Sequence, residues 1–142
     1  MKKLLSCLLI LSIVCAMFTG FAFADASVYT DEMVERSLFS VGNTQRLHRV
    51  IDKAQNGEPV SIVYLGGSIT EGASAVPQTT HCYAALSAKA FAEKFMPDPS
   101  LLKYRNSGIS GTPSLLGVTR CEQDVLSYEP DIVFIEYAVN DG

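Results

Sequence analysis

The chain has 142 residues, with 11 Lys and Arg against 15 Asp and Glu, a formal net charge of −4 and 48% hydrophobic residues. That length holds one small domain at most. An acidic balance with no basic run or Lys/Arg stripe excludes nucleic acid and anionic membrane surfaces as natural partners. Two histidines and no C-x-x-C pair exclude the usual zinc spacings, and no pattern calls for a metal or another cofactor.

Residues 1–24 read as a secretory signal. Lys2 and Lys3 form a basic start, Leu4 to Phe21 an apolar core, and Ala22-Phe23-Ala24 a small-x-small cleavage site before Asp25. The uncharged run from Leu4 to Ala24 is also long enough to span a bilayer. The cleavage pattern, with no basic residues just after it, favours removal, which gives a secreted, extracellular chain starting at Asp25 and free of the membrane. Removal takes away Lys2 and Lys3 but no acid, so the formal charge moves from −4 to −6. It also takes away Cys7 and Cys15, leaving Cys82 and Cys121 in an oxidising compartment, where a disulfide is the default.

Residues 25–59 read as an N-terminal helical arm. Thr30 to Phe39 suits a short helix or an extended segment. Asn43 can cap a second helix, in which Leu47, Val50, Ile51 and Ala54 recur at helical spacing and Gly57 provides the stop. Pro59 then opens a first strand, Val60 to Leu65. Gly72 to Thr80 is polar, carries Pro77 and reads as a loop. A helix over 80–95 would turn Tyr83, Leu86, Ala90 and Phe91 inward and stop at Pro97 and Pro99. Leu101 to Arg105 alternates in the manner of an edge strand with one wet face. Thr112 can cap the next helix, Pro113 take its first turn, and Val118, Cys121, Val125 and Tyr128 form its buried stripe. Ile132 to Ile135 is apolar on both faces, as a central parallel strand is.

This β-α-β-α-β order predicts an α/β fold: a flavodoxin-like three-layer α/β/α domain over residues 60–142, with a parallel sheet in the order 2-1-3 for the strands present. Right-handed crossovers running in opposite directions put their helices on opposite faces of that sheet. Cys82 and Cys121 would then lie beyond the Cα separation of about 4.4–6.8 Å that a disulfide requires. No intramolecular bridge is expected, despite secretion.

The chemistry begins at Ser68. The apolar run Ile62 to Leu65 ends in Gly66 and Gly67, and a hydroxyl nucleophile follows. Two glycines allow a sharp turn and leave room for a substrate atom, and the carboxyl end of a parallel strand is where open α/β sheets bind ligands. Taken alone, Gly-Gly-Ser is an ordinary strand-to-loop turn. Two more segments follow later strands: Asn106-Ser107-Gly108-Ile109-Ser110-Gly111-Thr112 and Ala138-Val139-Asn140-Asp141-Gly142. With Gly66-Gly67-Ser68-Ile69-Thr70, their order and spacing resemble the SGNH (GDSL-type) hydrolases, a family of secreted and intracellular esterases. The resemblance covers about Val60 to Gly142.

The resemblance implies a serine ester hydrolase in which Ser68 is the nucleophile. Its oxyanion donors would be the backbone N–H groups of Ser68 and Gly111 and the side-chain amide of Asn140. An amide donates without titrating, and a glycine lets a bare N–H approach the substrate. Asn106 takes a supporting role at its strand end. The chain departs from the family pattern in two places. Gly67 stands where the family has aspartate, and the Asp-x-x-His block that supplies the family's base is missing. His48 and His81 are preceded three residues earlier by Gln45 and Gln78, so neither completes it. His81 opens the first crossover helix and is the one that could approach the crevice.

The sequence also stops where its third strand would end, so the expected chain is the N-terminal part of a longer hydrolase, truncated before the C-terminal strands. The function expected of the full-length form is a secreted serine esterase acting on small O-acyl groups, including acetyl groups on a carbohydrate. The partner would be a small-molecule or carbohydrate ester. The alternative is a non-catalytic α/β binding module that uses the same crevice. Nucleotide binding has little support, because neither G-x-G-x-x-G nor a Walker lysine is present.

Overall fold

The computed structural model describes residues 30–38, 40 and 42–141. The signal sequence and its cleavage site lie outside them. By contacts the chain divides into two units, Met1–Val41 and Gly42–Gly142. The first unit contributes one described element, the helix α1 (Asp31–Ser37), whose N-cap Thr30 accepts from the Met33 N–H at 3.2 Å.

The second unit is built on β1 (Val60–Gly66), β2 (Leu102–Gly108) and β3 (Ile132–Glu136), in the order β2-β1-β3 with both pairings parallel. Val60 stands opposite Leu102, and Ile62 opposite Ile132. Around the sheet run α2 (Gln45–Gln55), the one-turn helices α3 (Ser68–Glu71) and α4 (Gln78–His81), α5 (Tyr83–Phe95) and α6 (Ser114–Asp124). The α/β class, the strand order and the placing of helices on both faces match the sequence expectation.

β1 is buried along its whole length, and its side chains alternate between two cores as the pleat requires. Val60, Ile62 and Tyr64 meet Ala54 of α2 and Ala84, Ala88 and Ala92 of α5. Val63 and Leu65 meet Val125 and Tyr137, with Cys121 of α6 packed against them. Cys82 belongs to the first core and Cys121 to the second, and both are free thiols. At the amino ends, Lys53 of α2 pairs with Asp131 at 2.7 Å, and Asp131 accepts from the Ser61 N–H at 2.9 Å.

Several local expectations are corrected. α5 begins at Tyr83, after the separate turn of α4, and Cys82 caps it by accepting from the Ala85 N–H at 3.4 Å. Its inward face is Ala84, Ala88 and Ala92, while Tyr83, Leu86 and Ala90 are exposed and Phe91 is half-buried. Small residues every fourth position let the helix lie close on the sheet, so the larger apolar side chains fall at its flanks. On α2, Ala54 is buried and Val50 and Ile51 are half-buried, but Leu47 is exposed; Asn43 accepts from the Gln45 N–H at 3.0 Å.

β2 runs on to Gly108, three residues past the predicted end, because Asn106 and Ser107 remain in register with Tyr64 and Leu65. Thr112 does not cap α6. Its hydroxyl donates to the Ile109 carbonyl at 2.7 Å, and the Ser114 N–H is taken by Asp141 at 2.8 Å. Val118 and Tyr128 are exposed, and the inward face of that segment is Gly117 and Val125 with Cys121 half-buried. Among the described residues β3 pairs with β1 alone, and Ile135 is 69% exposed.

Candidate active site

Ser68 is placed by a change of backbone direction. β1 ends at Gly66, Gly67 has the non-helical N-cap conformation (φ −89°, ψ −149°), and Ser68 opens α3. The first N–H groups of a helix have no acceptor within it, and the Ser68 N–H has none among the described residues. The one-turn helix sits against β2 with little clearance. A Cβ built on Gly108 would stand 2.2 Å from the Glu71 nitrogen, so only glycine allows this approach.

Ser68 is half-buried and lines a narrow cleft with Gly67, Ile69, Glu136, Tyr137, Val139 and Asn140, a cleft with essentially no free volume between its walls. Asn140 lies in the turn after β3, where its N–H donates to the Tyr137 carbonyl at 2.9 Å. Its side-chain Nδ2 donates to the Thr112 carbonyl at 2.8 Å, which occupies one of its two amide hydrogens. A Cβ at Gly67 would stand 2.6 Å from that same Nδ2, so the missing side chain lets the amide approach the Ser68 turn. The structure therefore brings Ser68 and Asn140 together at the carboxyl ends of β1 and β3.

Gly111 is placed differently. It is exposed, has φ +74° and does not line the cleft. It stands between two tethered neighbours. The Thr112 carbonyl receives the Asn140 amide, while the Ser110 N–H donates to Glu71 Oε2 at 2.9 Å and the Ser110 hydroxyl donates to the same oxygen. The Gly111 N–H has no acceptor among the described residues.

Asn106 supports the site through backbone bonds. Its Nδ2 donates to the Thr70 carbonyl at 2.7 Å and its Oδ1 accepts from the Gly108 N–H at 2.9 Å, which joins the end of β2 to α3. Neither histidine reaches the cleft. His48 is exposed on α2, and His81 is exposed with its Nδ1 2.8 Å from the Thr80 hydroxyl. No group of three or more His, Cys, Asp or Glu among the described residues is placed to hold a metal ion.

Two residues around the site were not singled out from the sequence. Glu71 sits three positions after Ser68, on the same turn. Arg120 lies under the strand ends: its guanidinium donates to the Ser107 carbonyl (2.6 Å), the Gly66 carbonyl (3.1 Å), the Tyr137 hydroxyl (3.0 Å) and Asp124 (2.9 Å). An arginine four residues before an aspartate, inside a helix otherwise read as apolar on that side, was the available signal.

Beyond Glu71 a cavity of about 280 Å³ is lined by Gln78, Thr79, Tyr104, Asn106 and Gly108. Burial holds the Tyr104 phenol well above the ordinary tyrosine value, with the neighbouring Cys82 thiol adding to the shift. A larger cavity of about 400 Å³ runs between α5 and the open edge of β2 and contains none of Ser68, Gly111 or Asn140.

No family model matches the chain, and no curated protein matches it. Solved structures do match, among them two of esterases. One is a two-domain esterase active on acetylated mannans, co-crystallised with mannopentaose; it matches with a TM-score of 0.64 and 42% identity, over 71% of this chain and 27% of its own length. The other, also of a two-domain esterase active on acetylated mannans, matches with a TM-score of 0.64 and 40% identity, over 72% of this chain and 27% of its own. The chain thus spans 27% of the length of these esterases. Its parallel α/β arrangement is one found within an esterase, and the likeness supports an esterase reading.

Proposed function

We propose that this chain carries the nucleophile and oxyanion donors of an SGNH-type serine esterase that removes acetyl groups from a carbohydrate of the acetylated-mannan kind. The observation that carries the reading is Ser68 and Asn140 lining one cleft at the ends of adjacent parallel strands. The solved esterases similar to this chain add the substrate class.

In this reading Ser68 Oγ attacks the acetyl carbonyl carbon, giving up its proton as the bond forms. The carbonyl oxygen becomes an oxyanion, which receives the Ser68 N–H and the Asn140 amide hydrogen left over from the Thr112 carbonyl; the family resemblance adds the N–H of Gly111, which stands outside the cleft. Collapse breaks the bond to the sugar oxygen, which leaves with a proton. Water then hydrolyses the acetyl-serine to acetate and free Ser68.

The proton acceptor is not assigned to any residue of this cleft. The resemblance would place it in an Asp-x-x-His block, and this sequence has none. The reading includes export: the basic and apolar start of the chain directs secretion, with cleavage after Ala24.

The test is acetate release from acetylated mannan by the product of the full open reading frame, compared with its Ser68→Ala variant. Loss of at least about 1,000-fold in kcat is expected. Comparable turnover by the two proteins overturns the reading and leaves the ligand-binding module in its place.

A further inference from the structure

We infer that Glu71 is a positioning residue of the esterase site, holding the Gly111 loop at a fixed distance from Ser68. The inference rests on the serine-esterase reading above and assigns a role in the same site to a residue outside the nucleophile and the oxyanion donors.

The argument starts from how Gly111 is held. A backbone N–H is useful to an oxyanion only when it is already aimed, because reorientation during the reaction would cost what the hydrogen bond gains. Gly111 is exposed, and nothing lies within 4 Å of a Cβ built on it. Packing therefore does not fix it, and its place depends on the residues on either side. On the C-terminal side, the Thr112 carbonyl is tied to the Asn140 amide. On the N-terminal side, Ser110 is tied through both its N–H and its hydroxyl to a single carboxylate oxygen of Glu71. Ser110 is held at two points and Thr112 at one, so this is the more constraining of the two ties.

The other end of that tie is what gives it a catalytic consequence. Glu71 and Ser68 belong to the same single turn, α3. That turn is fixed in turn by Asn106, which donates to the Thr70 carbonyl, and by the close approach of Gly108 to the Glu71 backbone. One carboxylate thus links the nucleophile's own helix to the loop carrying the second oxyanion donor. The charge of Glu71 has the wrong sign to help a developing oxyanion directly. Its two donors offset that charge, and its contribution is geometric.

The experiment uses the product of the full open reading frame on an activated acetyl ester and on acetylated mannan. Glu71→Ala should lower kcat by about 10- to 100-fold on both, with KM changed by less than about threefold, as expected when an oriented donor is misplaced by about an ångström. Glu71→Gln keeps an acceptor oxygen for the Ser110 N–H and should recover most of the lost kcat. Ser110→Ala removes only the hydroxyl half of the tie and should cost about 3- to 10-fold. The double variant Glu71→Ala/Ser110→Ala should then be no worse than Glu71→Ala alone, because both changes break one interaction.

A Glu71→Ala enzyme with wild-type kcat overturns the inference, as does a Glu71→Gln enzyme no better than Glu71→Ala. Should Glu71→Ala fail to fold, the Ser110→Ala result decides, and wild-type kcat there overturns it. Ser68→Ala is the control that separates the two claims: activity that persists without Ser68 removes the esterase reading itself. Full dependence on Ser68 with none on Glu71 removes only the positioning role.

Discussion

The Asn140 amide and the Thr112 carbonyl are joined at 2.8 Å, linking the turn after β3 to the loop after β2. This bond both holds the loop and fixes which way the amide faces, so the side chain is oriented before any substrate arrives. Asn140→Ala should therefore lower kcat by about 100- to 1,000-fold, the usual cost of removing an oxyanion donor. Asn140→Asp sets an acceptor against the Thr112 carbonyl and should lose at least as much. Steady-state kinetics on an activated acetyl ester check both, and an Asn140→Ala enzyme within about threefold of wild type would exclude the donor role.

Gly67→Ala should impair the site through Asn140. Its new Cβ would lie 2.6 Å from Nδ2, so the amide must move away from Ser68. The expected result is a loss of kcat approaching that of Asn140→Ala, and the loss should shrink sharply when Gly67→Ala is made in an Asn140→Ala background.

Gly111→Ala tests the loop separately. Nothing lies within 4 Å of the added Cβ, but φ is +74°, a region that costs an L-residue roughly 1–2 kcal/mol. Denaturant unfolding should show a loss of that order. A loss above about 4 kcal/mol would mean that the added methyl meets a neighbour.

Arg120→Ala should be among the most destabilising single changes in the sheet unit. The side chain is only 15% exposed, and its removal takes a donor from the Ser107 carbonyl, the Tyr137 hydroxyl and Asp124, while the Gly66 carbonyl keeps the Ile109 N–H at 3.0 Å. The expected cost is about 3 kcal/mol. Arg120→Lys should recover little, since one ammonium cannot reproduce the planar fork that serves these acceptors. Chemical denaturation of the three proteins is the check.

Tyr64 and Tyr104 meet edge to face, with ring centroids 5.7 Å apart, and give a pH dependence. Burial raises the Tyr104 phenol, and it raises Tyr64 as well, whose hydroxyl lies 2.8 Å from that of Ser87. A raised folded value means that the unfolded chain loses the proton first. The stabilisation is whole below about pH 10, the free tyrosine value, and falls as pH rises from there toward the folded values. A tyrosinate absorbance titration should show a phase above the ordinary range, reduced in Tyr104→Phe. Ionisation of every tyrosine together near pH 10 would contradict it.

The fold was legible because β1 announces itself: a short apolar run with glycines at its end and helical periodicity on both sides. The strand order followed from β2 being partly charged and β1 and β3 apolar. The helix faces were less legible. Reading for large apolar residues selected Tyr83 and Leu86 of α5, whereas close packing on a sheet selects Ala84, Ala88 and Ala92. Ser68 and Asn140, which line one cleft, could be named from short blocks because each block is contiguous in the chain; Gly111, named in the same way, stands outside that cleft. Glu71 and Arg120 could not, because their roles depend on carbonyls and N–H groups that become neighbours only when separate crossovers fold back on the same strand ends.

The close seating of α3 on Gly108 has a consequence for how such a site can change over generations. Within that turn Thr70 is fully buried, Glu71 is bonded to Ser110, and Ser68 is the proposed nucleophile. Ile69 alone is exposed, at 48%, and it borders the cleft. Substitutions can therefore accumulate at Ile69 without disturbing the turn. Its three companions admit change only when a neighbouring segment changes in the same step.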